Sequence, residues 1–311
     1  MKKRVLITGV NGFIGHSLWQ YLKQKPGIKI FGLDRKRIHK DKNIFQLDIK
    51  RKVELGVLLS DIAPDYIFHL VGGRVRSKGM LAESNLLATQ CLLDAVSEMP
   101  PPRPRVIIPG SAAEYGKMPS GKKMITEKTC PEPVTTYGAI KLKQTQLALN
   151  YYKKGGDVVI ARIFNVLGKG TPPTFAVGNF AQQIVAVENG MKEEMIDTKD
   201  LGGKRDYLDI KDVCGALWDI ARYGKSGEIY NICSGRAVTM KELLEKLLRY
   251  SKVKTIQVKE SQDNICTSFD VAGSNRKLRS VTAWRPRASL EQGLRETLQY
   301  YRNLSREAVD L

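Results

Sequence analysis

Short apolar runs separated by helix-length amphipathic stretches organise the first half of this chain, and that alternation narrows its possible folds more than any single residue does. The apolar runs are Arg4–Gly9, Ile28–Asp34, Asn43–Asp48, Tyr66–Gly72, Arg105–Ser111 and Asp157–Ile163. Between them lie helical patterns at Gly12–Lys25, Lys52–Ile62, Leu81–Glu98 and Thr136–Lys154. Strands that alternate with helices predict a parallel sheet covered on both faces, and near-continuous apolar strands fit such double burial. The expectation is an α/β fold with a doubly wound parallel sheet.

After about residue 170 the rhythm breaks at a Gly/Pro-rich piece, Gly168–Thr174. Mixed elements follow: helices near Ala176–Asn189, Thr239–Tyr250 and Ser289–Leu304, and a strand at Glu228–Ile232. This predicts a smaller mixed α/β lobe over residues 169–311 beside a first domain over 1–168, with some chain returning to the first domain. A length of 311 residues accommodates both.

Composition excludes several classes. Hydrophobic content of 42% and charged content of 27% belong to a globular protein. No apolar run approaches the length of a membrane span. The basic start leads into an apolar run too short for a signal-peptide core, and reads as the first strand. The five cysteines, Cys91, Cys130, Cys214, Cys233 and Cys266, are odd in number and scattered, so they are expected to be buried thiols in a reducing compartment, the cytoplasm. His16, His39 and His69 lie too far apart to suggest a metal cluster, and no metal is expected.

The net charge of +19 concentrates at Arg35–Arg37, Arg74–Lys78 and Lys117–Lys128. It reads mostly as solvated surface, with attraction for small polyanions such as nucleotide diphosphates as its functional counterpart. No basic stretch interleaves aromatic residues as a single-strand platform does, so nucleic acid is not the expected partner.

Gly9, Gly12 and Gly15 fall three apart where the first strand gives way to the first helix. Helix N-terminal N–H groups favour a pyrophosphate there, and glycines let it approach the backbone. Asp34 closes the second strand about twenty residues on, where a carboxylate takes adenosine ribose hydroxyls. An acid there repels a 2′-phosphate and favours NAD; the adjacent Arg35, Lys36 and Arg37 suit NADP, so NAD is placed first with NADP open. Tyr137 and Lys141, four apart in "TTYGAIK", share a helix face, and a neighbouring ammonium favours the phenolate. Ser111 ends an apolar strand, and the carboxyl ends of such strands form the ligand crevice. No His/Asp pair accompanies Ser111, so nucleophilic hydrolysis is not supported.

The glycine turn, Asp34, Ser111 and Tyr137/Lys141, in that order on those elements, resemble the extended short-chain dehydrogenase/reductase family with its Rossmann-like fold. More narrowly they resemble its NAD-dependent epimerase/dehydratase branch, which acts on nucleotide sugars. The resemblance implies that Asn11, Phe13 and Ile14 of the turn, Asp48 and Ile49 of "LDI", and Leu70 of "HLVG" border the dinucleotide. Asn85 matches the branch's asparagine at a helix start. In "RIFNVLGKG" Asn165 would lie near the sugar diphosphate, and in "KRDYLDIKDV", read as a strand and turn, Arg205 would face phosphate. "EIYNICSG" is a further hallmark. The resemblance further implies that Lys141 holds the nicotinamide ribose, that Ser111 positions the sugar carbonyl for Tyr137, and that the chain forms a homodimer through the helices 81–98 and 136–154.

Within the branch, "FAVGNFAQQIVAVENG", "RDYLDIKDV" and "YNICSGRAVTMKELL" resemble GDP-4-keto-6-deoxymannose reductases. Two departures stand out. Ala112 and Ala113 occupy the places where 4,6-dehydratases carry an Asp-Glu pair, which removes that activity. "ESQDNICTSFD" replaces the Arg-Pro segment usual in the reductases. The expected activity is hydride transfer at sugar C4 with a nucleotide-diphosphate sugar as substrate; 4-epimerisation with retained NAD is the alternative. A non-catalytic cofactor sensor or RNA-binding relative is the reading from another class.

Overall fold

The computed structural model describes residues 2–36, 41–73, 78–116, 124–199, 201–261 and 272–309. Arg37, His39, residues 74–77 and 117–123, Cys266 and nearly all of the 260–270 segment lie outside them.

The apolar runs form strands β1 (Lys3–Thr8), β2 (Ile28–Asp34), β3 (Ile44–Gln46), β4 (Tyr66–His69), β5 (Arg105–Ser111) and β6 (Val158–Ile163). Together with β10 (Ile229–Ile232) they make one seven-stranded sheet in the order β3-β2-β1-β4-β5-β6-β10. Every pairing in it is parallel. The chain starts in the middle, winds outward to β3, then returns across β1 to β4, so the winding reverses between β1 and β4. That reversal opens a crevice beyond the carboxyl ends of the strands.

Double burial explains the strand sequences. Along β1, Val5 and Ile7 enter one core cluster and Leu6 the other, the period of two expected of a strand. The first cluster packs the sheet against α1 (Phe13–Lys23) and α7 (Ile210–Tyr223); the second packs it against α2 (Lys52–Ile62), α4 (Ala88–Glu98) and α5 (Thr136–Lys153). All six residues of β6 are buried, Arg162 among them.

The helix expected at Leu81–Glu98 is longer and interrupted. It starts as α3 (Lys78–Ala82), passes through a π-helical turn at Glu83–Leu87, and continues as α4. Asn85 Nδ2 donates to the Leu81 carbonyl at 2.8 Å and Thr89 Oγ1 to the Asn85 carbonyl at 2.6 Å. Side chains thus satisfy carbonyls around the widened turn. The stretch Lys204–Val213, read as a strand and turn, is instead β9 (Lys204–Asp209) running straight into the 14-residue α7. Asp209 caps that helix by accepting the Lys211 N–H at 2.8 Å.

Beyond β6 come β7 (Asn165–Leu167), α6 (Ala176–Glu188) and β8 (Met195–Thr198), and then, after α7 and β10, β11 (Ala237–Thr239), α8 (Met240–Arg249), β12 (Gln257–Glu260), α9 (Arg276–Val281) and α10 (Leu290–Val309). They build a three-stranded sheet, β11-β9-β7, and a two-stranded one, β12-β8. A third core cluster joins α6, α8 and α10 through Ile184, Leu243, Leu247, Leu294 and Leu298. Of the described cysteines, Cys91, Cys214 and Cys233 are buried, but Cys130 is exposed. It follows the Thr126–Thr129 turn on a surface loop, which corrects the expectation that all are core thiols. Among the described residues no helix is long and apolar enough to cross a membrane.

Candidate active site

The glycine turn gathers three backbones at one point. Gly9 has a φ of +71° and donates its N–H to the Leu33 carbonyl at 2.8 Å. A Cβ at Gly9 would sit 2.6 Å from the Leu70 oxygen, and one at Gly15 would collide with the Gly9 carbonyl. Glycine is required at both because β1, α1 and the segment after β4 touch there. Helix α1 then begins at Gly12 with no side-chain cap and no acid in its first turn. By contrast α5, α7 and α8 are capped by Thr135, Asp209 and Thr239. The first-turn amides of α1, including those of Phe13, Ile14 and Gly15, have no intrahelical acceptor, and nothing acidic competes for them. These donors fit a pyrophosphate.

Asp34 faces this turn. Its Oδ2 accepts the Asn11 N–H at 3.1 Å and its Oδ1 the Lys36 N–H at 3.4 Å, while Asn11 Nδ2 donates to the Lys36 carbonyl at 2.5 Å. The Asn11 Oδ1 is buried without a protein partner, an orphaned acceptor beside the same crevice. The Leu47 N–H donates to the Asp34 carbonyl at 2.9 Å, which brings Asp48 and the buried Ile49 to the adjacent edge. Asp48 caps its own turn through the Lys50 N–H at 3.0 Å. Arg35 is exposed.

At the end of β5 the sequence Ser111-Ala-Ala-Glu114 forms a capping box. Ser111 Oγ accepts the Ala113 N–H at 3.2 Å, and Glu114 Oε1 accepts the Ser111 N–H at 2.7 Å. Glu114 is fully buried; its other oxygen takes Arg162 Nε at 2.8 Å and Thr145 Oγ1 at 2.9 Å. The Arg162 guanidinium lies 4.5 Å from the centre of the Tyr115 ring, whose hydroxyl donates to Asn231 Oδ1 at 2.7 Å. Serine's position is thus set by a carboxylate wired to β6, to α5 and through Tyr115 to β10.

Helix α5 starts against this turn. Thr135 Oγ1 caps it by accepting the Gly138 N–H at 3.0 Å, and a Cβ at Gly138 would collide with the Ala113 carbonyl. Tyr137, half-buried, precedes that contact point. One turn on, Lys141 is 4% exposed, and its ammonium donates to the Pro109 carbonyl, two residues before Ser111, and to Gln144 Oε1. Burial pulls Lys141 down to about 8, and the Glu114 carboxylate opposes that shift.

On the far side of the crevice, Asn165 Nδ2 donates to the Asp206 carbonyl at 3.1 Å, and Arg205 lies on β9 paired with Val238. Asp206, wholly buried, accepts the N–H groups of Ser234, Gly235 and Gly273 and the Ser234 hydroxyl. It ties the "CSG" loop to the strand that carries Arg205. Phe13 meets Phe175 edge-on with ring centres 6.4 Å apart, which joins the glycine turn to the segment before α6.

The structure therefore brings Ser111 and Lys141 to one strand end, and groups Gly9, Gly12, Gly15, Asn11, Asp34 and Leu70 along the same edge of the sheet. Glu114, Arg162, Gln144 and Asp206 were not singled out from sequence. For Glu114 a signal existed, the S-x-x-E spacing of a capping box. For Gln144 there was none.

Comparison with known proteins agrees with this geometry. The model of the NAD dependent epimerase/dehydratase family matches residues 5–233, most of the chain. The chain belongs to that family. It is 28% identical to the GDP-6-deoxy-D-mannose reductase of Pseudomonas aeruginosa, over 99% of this chain and the whole of that protein. Among solved structures, RMD from Pseudomonas aeruginosa complexed with NADPH matches with a TM-score of 0.83 and 27% identity, over 97% of this chain and all of that one. The UDP-glucose 4-epimerase of Thermus thermophilus in complex with NAD matches with a TM-score of 0.82 and 25% identity, over 96% and 99%. Family membership and fold together account for the seven-stranded sheet and for the glycine turn at its switch point.

Proposed function

We propose that this protein is an NAD(P)-dependent oxidoreductase of nucleotide-diphosphate sugars that reduces the 4-keto group of a 4-keto-6-deoxyhexose; its Pseudomonas aeruginosa relative is by name a GDP-6-deoxy-D-mannose reductase. The observation that carries this reading is the Lys141 ammonium anchored on the Pro109 carbonyl. That contact draws the helix bearing Tyr137 onto the strand end bearing Ser111. When bound, the reduced dinucleotide supplies the hydride to the carbonyl carbon. Tyr137 gives its proton to the carbonyl oxygen, Lys141 stabilises the phenolate left behind, and Ser111 donates a hydrogen bond to the same oxygen. Asn165 and Arg205 hold the sugar diphosphate from the other wall. Elimination of water has no acid to drive it. Ala112 and Ala113 carry none, and Glu114 is consumed by Arg162, Thr145 and the Ser111 N–H.

The first-turn amides of α1 hold the pyrophosphate, Asp34 the adenosine ribose, and Asp48, Ile49 and Leu70 flank the dinucleotide. Asp34 is pinned toward the turn by Asn11, where a 2′-phosphate would meet its charge, so NAD is preferred over NADP. The same pinned carboxylate supports a second reading, a 4-epimerase that retains NAD. We read residues 1–168 as the dinucleotide domain and 169–311 as the substrate lobe, with α7 and β10 returned to the first core. A homodimer through α4 and α5 is part of this reading, supported by the exposed Leu87 beside α4. So is a cytoplasmic location, supported by the free cysteines.

The test is to supply GDP-4-keto-6-deoxymannose with NADH or NADPH and to follow nicotinamide oxidation, while mass spectrometry identifies any dinucleotide carried by the purified protein. Cofactor consumption with a 6-deoxyhexose product supports the reductase. Tightly retained NAD with interconversion of C4 epimers replaces it with the epimerase. No turnover of any sugar nucleotide, with RNA binding of steep salt dependence, rejects both.

A further inference from the structure

A chain of buried side chains lies behind Lys141. The Gln144 amide that accepts from its ammonium donates through Nε2 to Thr89 Oγ1 at 2.7 Å and to the Asn85 carbonyl at 3.3 Å. Thr89 spends its single hydroxyl proton on the Asn85 carbonyl at 2.6 Å. Its 3.1 Å contact with His69 Nε2 is therefore an acceptance, which places the imidazole proton on Nε2. His69 Nδ1 is left as an acceptor for the Thr8 hydroxyl at 2.9 Å. Burial first, and the Lys141 charge second, push His69 down to about 3, so the ring is neutral. Thr8, His69, Thr89 and Gln144 are wholly buried.

Each link in this chain has one direction. A reversed Gln144 amide would set its oxygen against Thr89 and the Asn85 carbonyl, neither of which has a proton to offer, and its NH2 against the ammonium. The oxygen end is thus locked onto Lys141. We propose that Gln144 is a positioning residue: its amide, locked from behind by Thr89 and His69, holds the Lys141 ammonium at the foot of the crevice and keeps it charged there. Pro109 and Gln144 take two of the three ammonium protons. A carbonyl oxygen passes no proton onward, so Lys141 acts as a fixed charge and the buried chain as its mount. The ionisable groups that act on Lys141 are Glu114 from the turn after β5 and His69 from β4, and Glu114 in turn carries Arg162 of β6; Tyr137 stands four residues earlier on α5. The effect on turnover rests on the function proposed above; the state of Lys141 does not.

The experiment reads Lys141 directly, by NMR titration of the full chain labelled with 13C at lysine Cε. The resonance is assigned by its loss in Lys141→Arg. The wild-type midpoint is expected near 8. Gln144→Met, which keeps the volume and removes the acceptor, is expected to lower it by about one unit, and Gln144→Glu to raise it by about as much. Thr89→Val, which unlocks the amide without touching Lys141, is expected to move the midpoint in the same direction as Gln144→Met and serves if that variant does not fold. Midpoints unchanged in these variants, or moving the same way for Met and Glu, overturn the proposal. If turnover is present, the alkaline limb of kcat shifts with the midpoint while KM for the sugar nucleotide stays put. Absence of turnover in every protein counts against the proposed reaction alone, and the titration still decides the role of Gln144.

Discussion

Arg162 and Glu114 meet in the dry middle of the molecule, Nε 2.8 Å from Oε2, with side chains 3% and 0% exposed. The same carboxylate takes the Ser111 N–H, so a buried ion pair fixes the start of the Ser111 turn. Glu114→Ala leaves a buried guanidinium without its counter-charge and is expected to cost about 3–5 kcal/mol. Denaturant unfolding measures it. Glu114→Gln keeps the shape and part of the hydrogen bonding, and is expected to fall between wild type and Glu114→Ala.

Gly138 sets how closely α5 approaches the Ser111 turn. A Cβ there strikes the Ala113 carbonyl, whereas a Cβ at Gly56, inside α2, meets nothing within 4 Å. Gly138→Ala is expected to destabilise by about 1–3 kcal/mol and to lower kcat beyond what the stability loss explains. Gly56→Ala is expected to stabilise by about 0.5–1 kcal/mol, because alanine loses less backbone entropy in a helix. Thermal unfolding and turnover of the two variants, measured side by side, separate crowding at the site from helix propensity.

Tyr137→Phe removes the hydroxyl of the proposed proton donor and keeps its ring. It is expected to reduce kcat roughly 10²- to 10⁴-fold, with dinucleotide affinity, read by quenching of intrinsic fluorescence, nearly unchanged. Turnover at the wild-type rate in this variant would remove Tyr137 from the chemistry.

Asp209 is 4% exposed and its Oδ2 has no hydrogen-bond partner. Burial raises its carboxyl to about 6, and the neighbouring charges of Glu296 and Asp212 add to that. Between pH 4 and 6 the native protein therefore holds a proton that the unfolded chain releases. Above pH 6 both states are ionised and the native state bears the full cost of a buried charge; below pH 4 both are protonated and that cost is gone. Asp209→Asn, which still caps α7, is expected to stabilise by about 2 kcal/mol at pH 8, with the gain vanishing as the pH falls from 6 to 4. Urea unfolding of both proteins across that range checks the sign as well as the size.

Much of the fold was legible because its signals are local. The strands at Ile28–Asp34 and Arg105–Ser111 and the helix at Lys52–Ile62 begin and end where the apolar pattern places them. Helix α7 was missed because Ile210–Tyr223 follows β9 without a loop, and its start signals, the Asp209 cap and Asp212 in the first turn, fall inside what reads as a strand and turn. The π-helical turn has no sequence marker, since Asn85 and Thr89 act through carbonyls one turn back.

By itself the sequence determined the alternation of strands and helices that builds the parallel sheet, the glycine turn between β1 and α1, and the four-residue spacing that puts Tyr137 and Lys141 on one helix, because each signal lies within about one turn or one strand. The tertiary structure alone decided which charges those residues feel. Glu114 reaches Arg162 across 48 residues and Gln144 reaches Thr89 across 55, contacts created by strand order and helix packing. Exclusion of water there makes each of these contacts strong and leaves every proton in the buried chain only one place to go.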